Sequence, residues 1–182
     1  MGREICIALL RGINVTGHNK IPMAELRQVC AGLGWADVQS YIQSGNLVFR
    51  SETSPEKLEG ELEAAIHDEF GLQIPVIVRN AEQWMGYVNN NPFQALVEEE
   101  PKRLLLTLSK KPPELGAIDG LNERADQGER VTRVGDALYI HYPQGVGRSK
   151  LTPALLDRLV GSSVTARNWR TVLKLAEMVS EP

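Results

Sequence analysis

The sequence is poor in the residues that most chemistries need. Its 182 residues hold two Cys, three His, three Trp, four Tyr and three Phe. Two cysteines without a C-x-x-C do not indicate a disulfide framework. Cys6 sits in an apolar strand pattern and Cys30 on the apolar side of a helix pattern, so both are expected as small buried hydrophobes. His18, His67 and His141 are scattered and show no metal-ligand spacing, so no metal is expected. No apolar run reaches the roughly 18 residues a membrane span needs. Residues 5–10 are apolar, but Arg11 ends them, and Met1-Gly2-Arg3-Glu4 is no basic lead-in to a signal segment. A cytoplasmic protein with no membrane partner is the expectation. H-E-x-x-H, G-x-S-x-G, the Walker motif and the dinucleotide fingerprint are missing as well. No cofactor is therefore expected, and no residue is assigned a catalytic role. Whether the chain is an enzyme stays open.

What is present is apolar content ample for a core, 42 %. The length allows one large domain or two small ones. Charge is divided unevenly. Residues 1–100 hold 7 Lys/Arg and 14 Asp/Glu, net −7, whereas residues 101–182 hold 13 and 9, net +4. Such asymmetry points to two units with different surfaces. It is sharpest between Tyr142 and Lys174, where six Lys/Arg face the single acid Asp157. A segment of about +5 in a chain of net −3 marks a local positive field.

The periodicities place a strand over residues 3–11 and a helix carrying Met23, Leu26, Cys30 and Leu33, closed by Gly34. Strands Val38–Ile42 and Leu47–Phe49 flank the turn Gln43-Ser44-Gly45-Asn46. Ser54 and Pro55 start a helix with the stripe Leu58, Leu62, Ala65, Ile66 and Phe70, whose Glu and Asp residues read as a solvated face. Ile74–Arg79 follows as a strand. The order β-α-β-β-α-β is that of a split βαβ unit. Asn80 and Gln83 are spaced as a reciprocal cap for a short helix, and Phe93–Pro101 reads as a linker. The order then repeats: strand Arg103–Ser109, a weak helix from Pro112 with Leu115, Ile118 and Leu121, strands Arg130–Val134 and Ala137–Tyr142, a helix from Thr152-Pro153, and strand Ser163–Ala166. A last helix, from about Asn168 to Val179, turns Trp169, Val172, Leu173 and Ala176 inward. The expected fold is α+β: two successive ferredoxin-like (βαββαβ) α/β plaits plus a C-terminal helix. The expected divisions are 1–80, a connection over 81–101, and 102–182. No residue-level repeat accompanies the architectural one.

Four places could hold a ligand. Gly145-Val146-Gly147-Arg148-Ser149-Lys150 is a glycine turn feeding a helix N-terminus, a setting that attracts phosphate or carboxylate. Arg167, Asn168, Arg170 and Lys174 lie on the last helix or its approach, with Arg170 and Lys174 as i,i+4 neighbours. Arg11, Asn14, His18, Asn19 and Lys20 are polar groups following an apolar strand. Ser44 and Asn46 belong to the hairpin turn, where Ser44 has no evident base. The candidate ligand set is Arg11, Asn14, Lys20, Ser44, Asn46, Arg148, Ser149, Lys150, Arg167, Asn168, Arg170 and Lys174. Tyr139 and Tyr142 lie on a strand but outside the pattern of an RNA-recognition motif.

These residues carry a resemblance. L-L-R-G-I-N-V-x-G-x-N-K-I-P-M-A-E-L-R from Leu9 to Arg27, Y-I-Q-S-G-N-L-V-F from Tyr41 to Phe49, G-R-S-K-L from Gly147 to Leu151 and T-A-R-N-W-R-T-V-L-K-L from Thr165 to Leu175 resemble the bacterial domain-of-unknown-function family 1697 (DUF1697). The resemblance implies a pair of ferredoxin-like plaits and supplies no catalytic residue. Its closing block usually reads R-N-W-N-T-V, and Arg170 stands here for the second Asn, which implies a more electrostatic contact if that position binds.

The leading functional expectation is a binding module for a phosphate-bearing ligand, nucleic acid or nucleotide, held by a basic surface. One alternative is a structural or partner-binding protein whose motifs lock the two plaits together. Another is a small-molecule enzyme with its site between the subdomains. The Arg11–Lys20 loop is the expected complement of the C-terminal basic segment.

Overall fold

The computed structural model describes residues 2–181. They fall into two compact units. The first holds the chain up to Met85 together with Leu175 onward, and the second runs Gly86–Lys174.

In the first unit, β1 (Glu4–Leu10), α1 (Met23–Gly32), β2 (Ala36–Tyr41), β3 (Asn46–Ser51), α2 (Pro55–Phe70) and β4 (Val76–Asn80) follow the expected order. The sheet runs β2-β3-β1-β4, with every neighbour antiparallel. Alternate residues of the strands, among them Cys6, Ala8, Leu10, Phe49, Val76 and Val78, pack with Leu26 and Cys30 of α1 and Leu58, Leu62 and Ile66 of α2. Trp35 stacks on Phe49 with ring centroids 3.9 Å apart. The opposite set, Ile7, Leu9, Val48 and Ile77, is buried too. Burial on both faces explains why β1 reads as a continuous apolar run and not as an alternation. Both cysteines are buried as expected. Burial, with a lesser push from the Glu4 charge, raises the Cys6 thiol to about 11, and burial raises Cys30 to about 12.

The acidic face of α2 departs from expectation. Glu59 is buried, and its Oε1 accepts from Val78 N at 2.9 Å while facing Arg79 Nη1 at 3.5 Å. Glu63 Oε1 accepts from Val76 N at 2.8 Å. β4 is an edge strand, and two carboxylates one helical turn apart meet two strand N–H groups two residues apart because both spacings are about 6 Å. The pair closes an edge that would otherwise invite pairing. Ser54 sits at the N-cap of α2 but makes no side-chain cap bond, so Pro55 is the stronger start signal.

Between β4 and the next strand the chain forms α3 (Ala81–Asn89) and α4 (Leu96–Glu99), the latter where a plain linker was expected. The reciprocal cap is present: Gln83 N donates to Asn80 Oδ1 and Asn80 N to Gln83 Oε1, both at 2.9 Å.

In the second unit come β5 (Leu104–Ser109), α5 (Ala117–Arg124), β6 (Arg130–Val134), β7 (Ala137–His141), α6 (Pro153–Val160) and β8 (Val164–Asn168), then α7 (Trp169–Ser180), whose residues from Leu175 belong to the first unit. The sheet runs β6-β7-β5-β8, again antiparallel. Leu138, Ile140 and Val164 pack with Leu121 of α5 and Leu156 and Val160 of α6. The edge strand β8 is sealed as β4 is: Asp157 Oδ1 of α6 accepts from Val164 N at 2.9 Å.

Two helical expectations fail. Gly116, at φ 84°, lies just outside α5, so Leu115 is excluded from the stripe and is 97 % exposed. In α7 the inward residues are Trp169, Val172, Leu175, Ala176 and Val179, and Leu173 is 40 % exposed. The chain is thus a mixed α+β protein with two four-stranded antiparallel sheets, consistent with two ferredoxin-like units.

Candidate functional site

At one end of the first sheet three connections meet: residues 11–22 after β1, 42–45 between β2 and β3, and 71–75 before β4. Leu10 N donates to Gly45 O at 2.8 Å and Arg11 N to Pro75 O at 3.0 Å. Asn14 does most of the joining. Its Nδ2 donates to Ile21 O (3.0 Å) and Gln43 O (2.8 Å), and its Oδ1 accepts from Ile21 N (2.9 Å). Asn19 Nδ2 closes the long loop on Gly12 O at 3.0 Å. Asn46 is fully buried and donates to Tyr41 O (3.0 Å) and Ser44 Oγ (3.1 Å). The backbone is strained to fit: Asn14, Thr16, Asn19 and Ile42 have φ between 47° and 54°. Gly45, at φ 84°, has no room for a Cβ, which would lie 2.7 Å from Leu10 Cβ and 2.8 Å from Ile13 Cδ1.

So the structure brings Arg11, Asn14, Lys20, Ser44 and Asn46 to one end of one unit. Asn14 and Asn46 turn their amides inward to hold the loops. Lys20 and His18 are exposed, and among the described residues neither side chain has a carboxylate partner. Arg11 is half-buried. Val15 and Ile42, in the same connections, are 53 % and 50 % exposed. The first unit carries 7 Lys/Arg against 13 Asp/Glu, net −6, yet these three connections contain Arg11 and Lys20 and no acid.

The second unit treats its basic residues differently. Ser149 Oγ donates to the Glu129 carboxylate and accepts from Leu151 N at 3.1 Å, and Lys150 pairs with Asp126. The Lys150 bond holds the Asp126 carboxyl below its usual range. Burial works to raise Glu129, but bonds from Ser149 and from the N–H groups of Glu129 and Gln127 outweigh it and hold it low. The glycine turn is therefore laced to the 126–129 loop by two carboxylates. Arg148 is exposed at its tip.

Arg167 is buried, donating from Nη1 to Thr165 Oγ1 and Ala166 O, both at 2.9 Å, and burial lowers its guanidinium to about 10. Asn168 caps α7, accepting from Thr171 N at 3.1 Å. The end of β4 repeats this arrangement: Arg79 is buried, donates from Nη1 to Val78 O at 2.8 Å, and precedes the capping Asn80. The Arg-Asn pair is a residue-level repeat where none was expected, too short to stand out in the sequence. Arg170 is exposed on a depression of about 310 Å³ shared with Glu98, Glu99, Glu100, Pro101, Lys102 and Arg103. Lys174 is half-buried. Tyr139 and Tyr142 are buried, so neither is available to stack on a base.

One pair, a buried histidine with a half-buried glutamate, escaped the sequence reading. His141 Nε2 meets the Glu100 carboxylate, which also accepts from Arg103 Nη1 at 3.3 Å. The His141 bond, then Arg103, holds Glu100 below its ordinary range. The partners are 41 residues apart, with no spacing signal to join them.

A family model described as a protein of unknown function (DUF1697) matches residues 4–139. Among solved structures, the chain is similar to the conserved bacterial protein SP0830 from Streptococcus pneumoniae, at 24 % identity and a TM-score of 0.75, covering 97 % of this chain and 99 % of that one. That likeness is one of fold. No curated protein matches.

Proposed function

Starting from the DUF1697 family, to which this chain belongs, we propose that the protein binds a phosphate-bearing ligand at the loop end of its first unit. The frame of the proposal is two successive ferredoxin-like plaits and a C-terminal helix. The observation that carries it is that the three connections at this end of an acidic unit contain no acid, with Lys20 and His18 exposed and, among the described residues, unmatched by carboxylates. A cation already paired with a carboxylate must give up that partner to bind an anion, and Lys150 is so paired. The C-terminal segment is the more basic in sequence, but the first unit's loops are the better anion surface. Rigidity adds to this: loops held by Asn14 and Asn46 lose little entropy when a ligand seats on them.

Thermal unfolding with pyrophosphate and nucleoside triphosphates tests the reading. At about a hundredfold excess over Kd a bound ligand raises Tm by about 5–10 °C. The shift is expected in the unmodified protein and in Lys150→Ala, and is expected to vanish in Lys20→Ala. A shift that survives Lys20→Ala but not Lys150→Ala moves the site to the second unit. No shift with any of these ligands removes the proposal.

The inward amides of Asn14, Asn46 and Asn168 favour a second reading, in which the motifs serve the architecture alone. Under it, variants at these positions change stability and no ligand alters the unfolding temperature.

A further inference from the structure

The first unit has a cleft at the end of its sheet away from the three connections. Arg50 stands across from Ile5 of β1, and Val48 across from Gln39 of β2. Phe49, between Val48 and Arg50, packs in the core with α1 and α2, so its two neighbours face the other side of the sheet. Met178 of α7, Glu181 just beyond it and Asp37 complete the lining. The cleft holds about 340 Å³, within the range of small-ligand pockets. We propose that it binds a free α-amino acid with an apolar side chain.

The cleft sets both signs of charge beside an apolar wall of Ile5, Val48 and Met178. Arg50 Nε faces Asp37 Oδ2 at 3.4 Å, and the Arg50 side chain has no other partner among the described residues. Its two Nη groups are therefore a fork for a carboxylate. The Arg50 and Asp37 side chains are 35 % and 71 % exposed, and so exposed a pair adjusts to a ligand at small cost. Asp37 and Glu181 offer two carboxylates to an ammonium, and Glu181 and Gln39 have no side-chain partner among the described residues.

Spacing selects the class. With Nε and Oδ2 only 3.4 Å apart, a ligand that answers both charges carries its carboxylate and ammonium one or two carbons apart. In an α-amino acid they share one carbon, whereas each end of a peptide carries only one of them. Two carboxylates against one guanidinium disfavour a phosphate ester, so the loop end and the cleft take different ligands. The strand is bent to make this arrangement. Asp37 and Val38 together stand opposite Phe49 in a bulge between Ala36 and Gln39; Val38 packs on the core, and Asp37 takes φ 53°. Bulges of this kind re-aim a side chain.

The test is titration of the unmodified protein with L-leucine, L-methionine and L-phenylalanine to about 10 mM, followed by amide NMR. Shifts are expected at residues 37–39, 48–50 and 178–181. Isocaproate lacks the ammonium of leucine and isoamylamine its carboxylate. Each forfeits a hydrogen bond to a charged group and is expected to bind at least about tenfold more weakly. Arg50→Lys keeps the charge and loses the fork, and Glu181→Gln removes an exposed, unpartnered carboxylate. Each is expected to weaken leucine binding by about tenfold with the unfolding temperature unchanged.

Isocaproate or isoamylamine binding as tightly as leucine overturns the assignment to a zwitterion. Leucylglycine binding as tightly overturns the assignment to a free amino acid and gives the cleft to peptide N-termini. Shifts confined to other residues, or leucine binding unaffected by both Arg50→Lys and Glu181→Gln, overturn the placement. No binding of any of the three amino acids at about 10 mM overturns the inference and leaves phosphate binding at the loop end standing.

Discussion

Replacing Asn14 separates the contribution of its side chain from that of its backbone. The side chain makes two half-buried bonds with Ile21 and one exposed bond to Gln43 O. At about 1 kcal/mol for each of the first two and about 0.5 for the third, Asn14→Ala loses about 2.5 kcal/mol. Its φ of 54° adds a further penalty of about 1 kcal/mol, because alanine tolerates the left-handed region worse than asparagine. The total is about 3.5 kcal/mol. Asn14→Gly loses the same bonds and keeps the backbone, with a small added cost from the freer unfolded chain. It is expected to lie about 0.5–1 kcal/mol above the alanine variant. Urea denaturation with circular dichroism measures both, and the alanine change is expected to lower Tm by about 7–14 °C. If both variants unfold within about 0.5 kcal/mol of the unmodified protein, the inward amide does not hold the loops. If glycine is worse than alanine, the backbone part of the argument is wrong.

Gly45→Ala places a Cβ against Leu10 and Ile13 at a left-handed position, and is expected to cost about 2–4 kcal/mol by chemical denaturation. Asp157→Ala leaves Val164 N without its acceptor at the β8 edge, with an expected loss of about 1–2 kcal/mol and faster amide exchange at Val164 by NMR. Acid should weaken the second unit. Asp126, Glu129 and Glu100 all have folded-state pKa values below the ordinary carboxylate range of about 4. Their contribution is present above the unfolded pKa and is lost as pH falls through the folded values. Denaturation midpoints at successive pH values should decline below about pH 4, and Glu129→Gln should reduce that decline. An unchanged decline in Glu129→Gln excludes Glu129 as a source.

Much of the fold was legible because its signals are local. The stripe Leu58, Leu62 and Ile66, the Thr152-Pro153 start and the Asn80–Gln83 reciprocal cap each act within a few residues, and all are present. Thr152 Oγ1 accepts from Leu155 N as its position before the helix implied. The errors arose where a local signal competed with another. Leu115 has the spacing of the α5 stripe, but Gly116 turns the chain left-handed before the helix begins. Leu173 is apolar, but α7 turns it outward and buries Val172, Leu175 and Ala176. Acids on α2 looked solvated because the sequence does not reveal that Val76 and Val78 present edge N–H groups to them.

Charge was less legible than fold, for a physical reason. The field at a residue is set by neighbours in space, and a net charge counted along the chain assigns a carboxylate to the wrong neighbourhood. Lys150 lies in the most basic segment, yet its partner Asp126 lies 24 residues upstream. Ser149 is occupied by Glu129, 20 residues away. The opposite holds at the loop end. Lys20 belongs to the acidic half, but six of that half's 14 acids are on α2, and the connections 11–22, 42–45 and 71–75 have none. Counting charge by connection at each end of a sheet, and not by segment, ranks the two candidate surfaces in the order that the proposed function takes them.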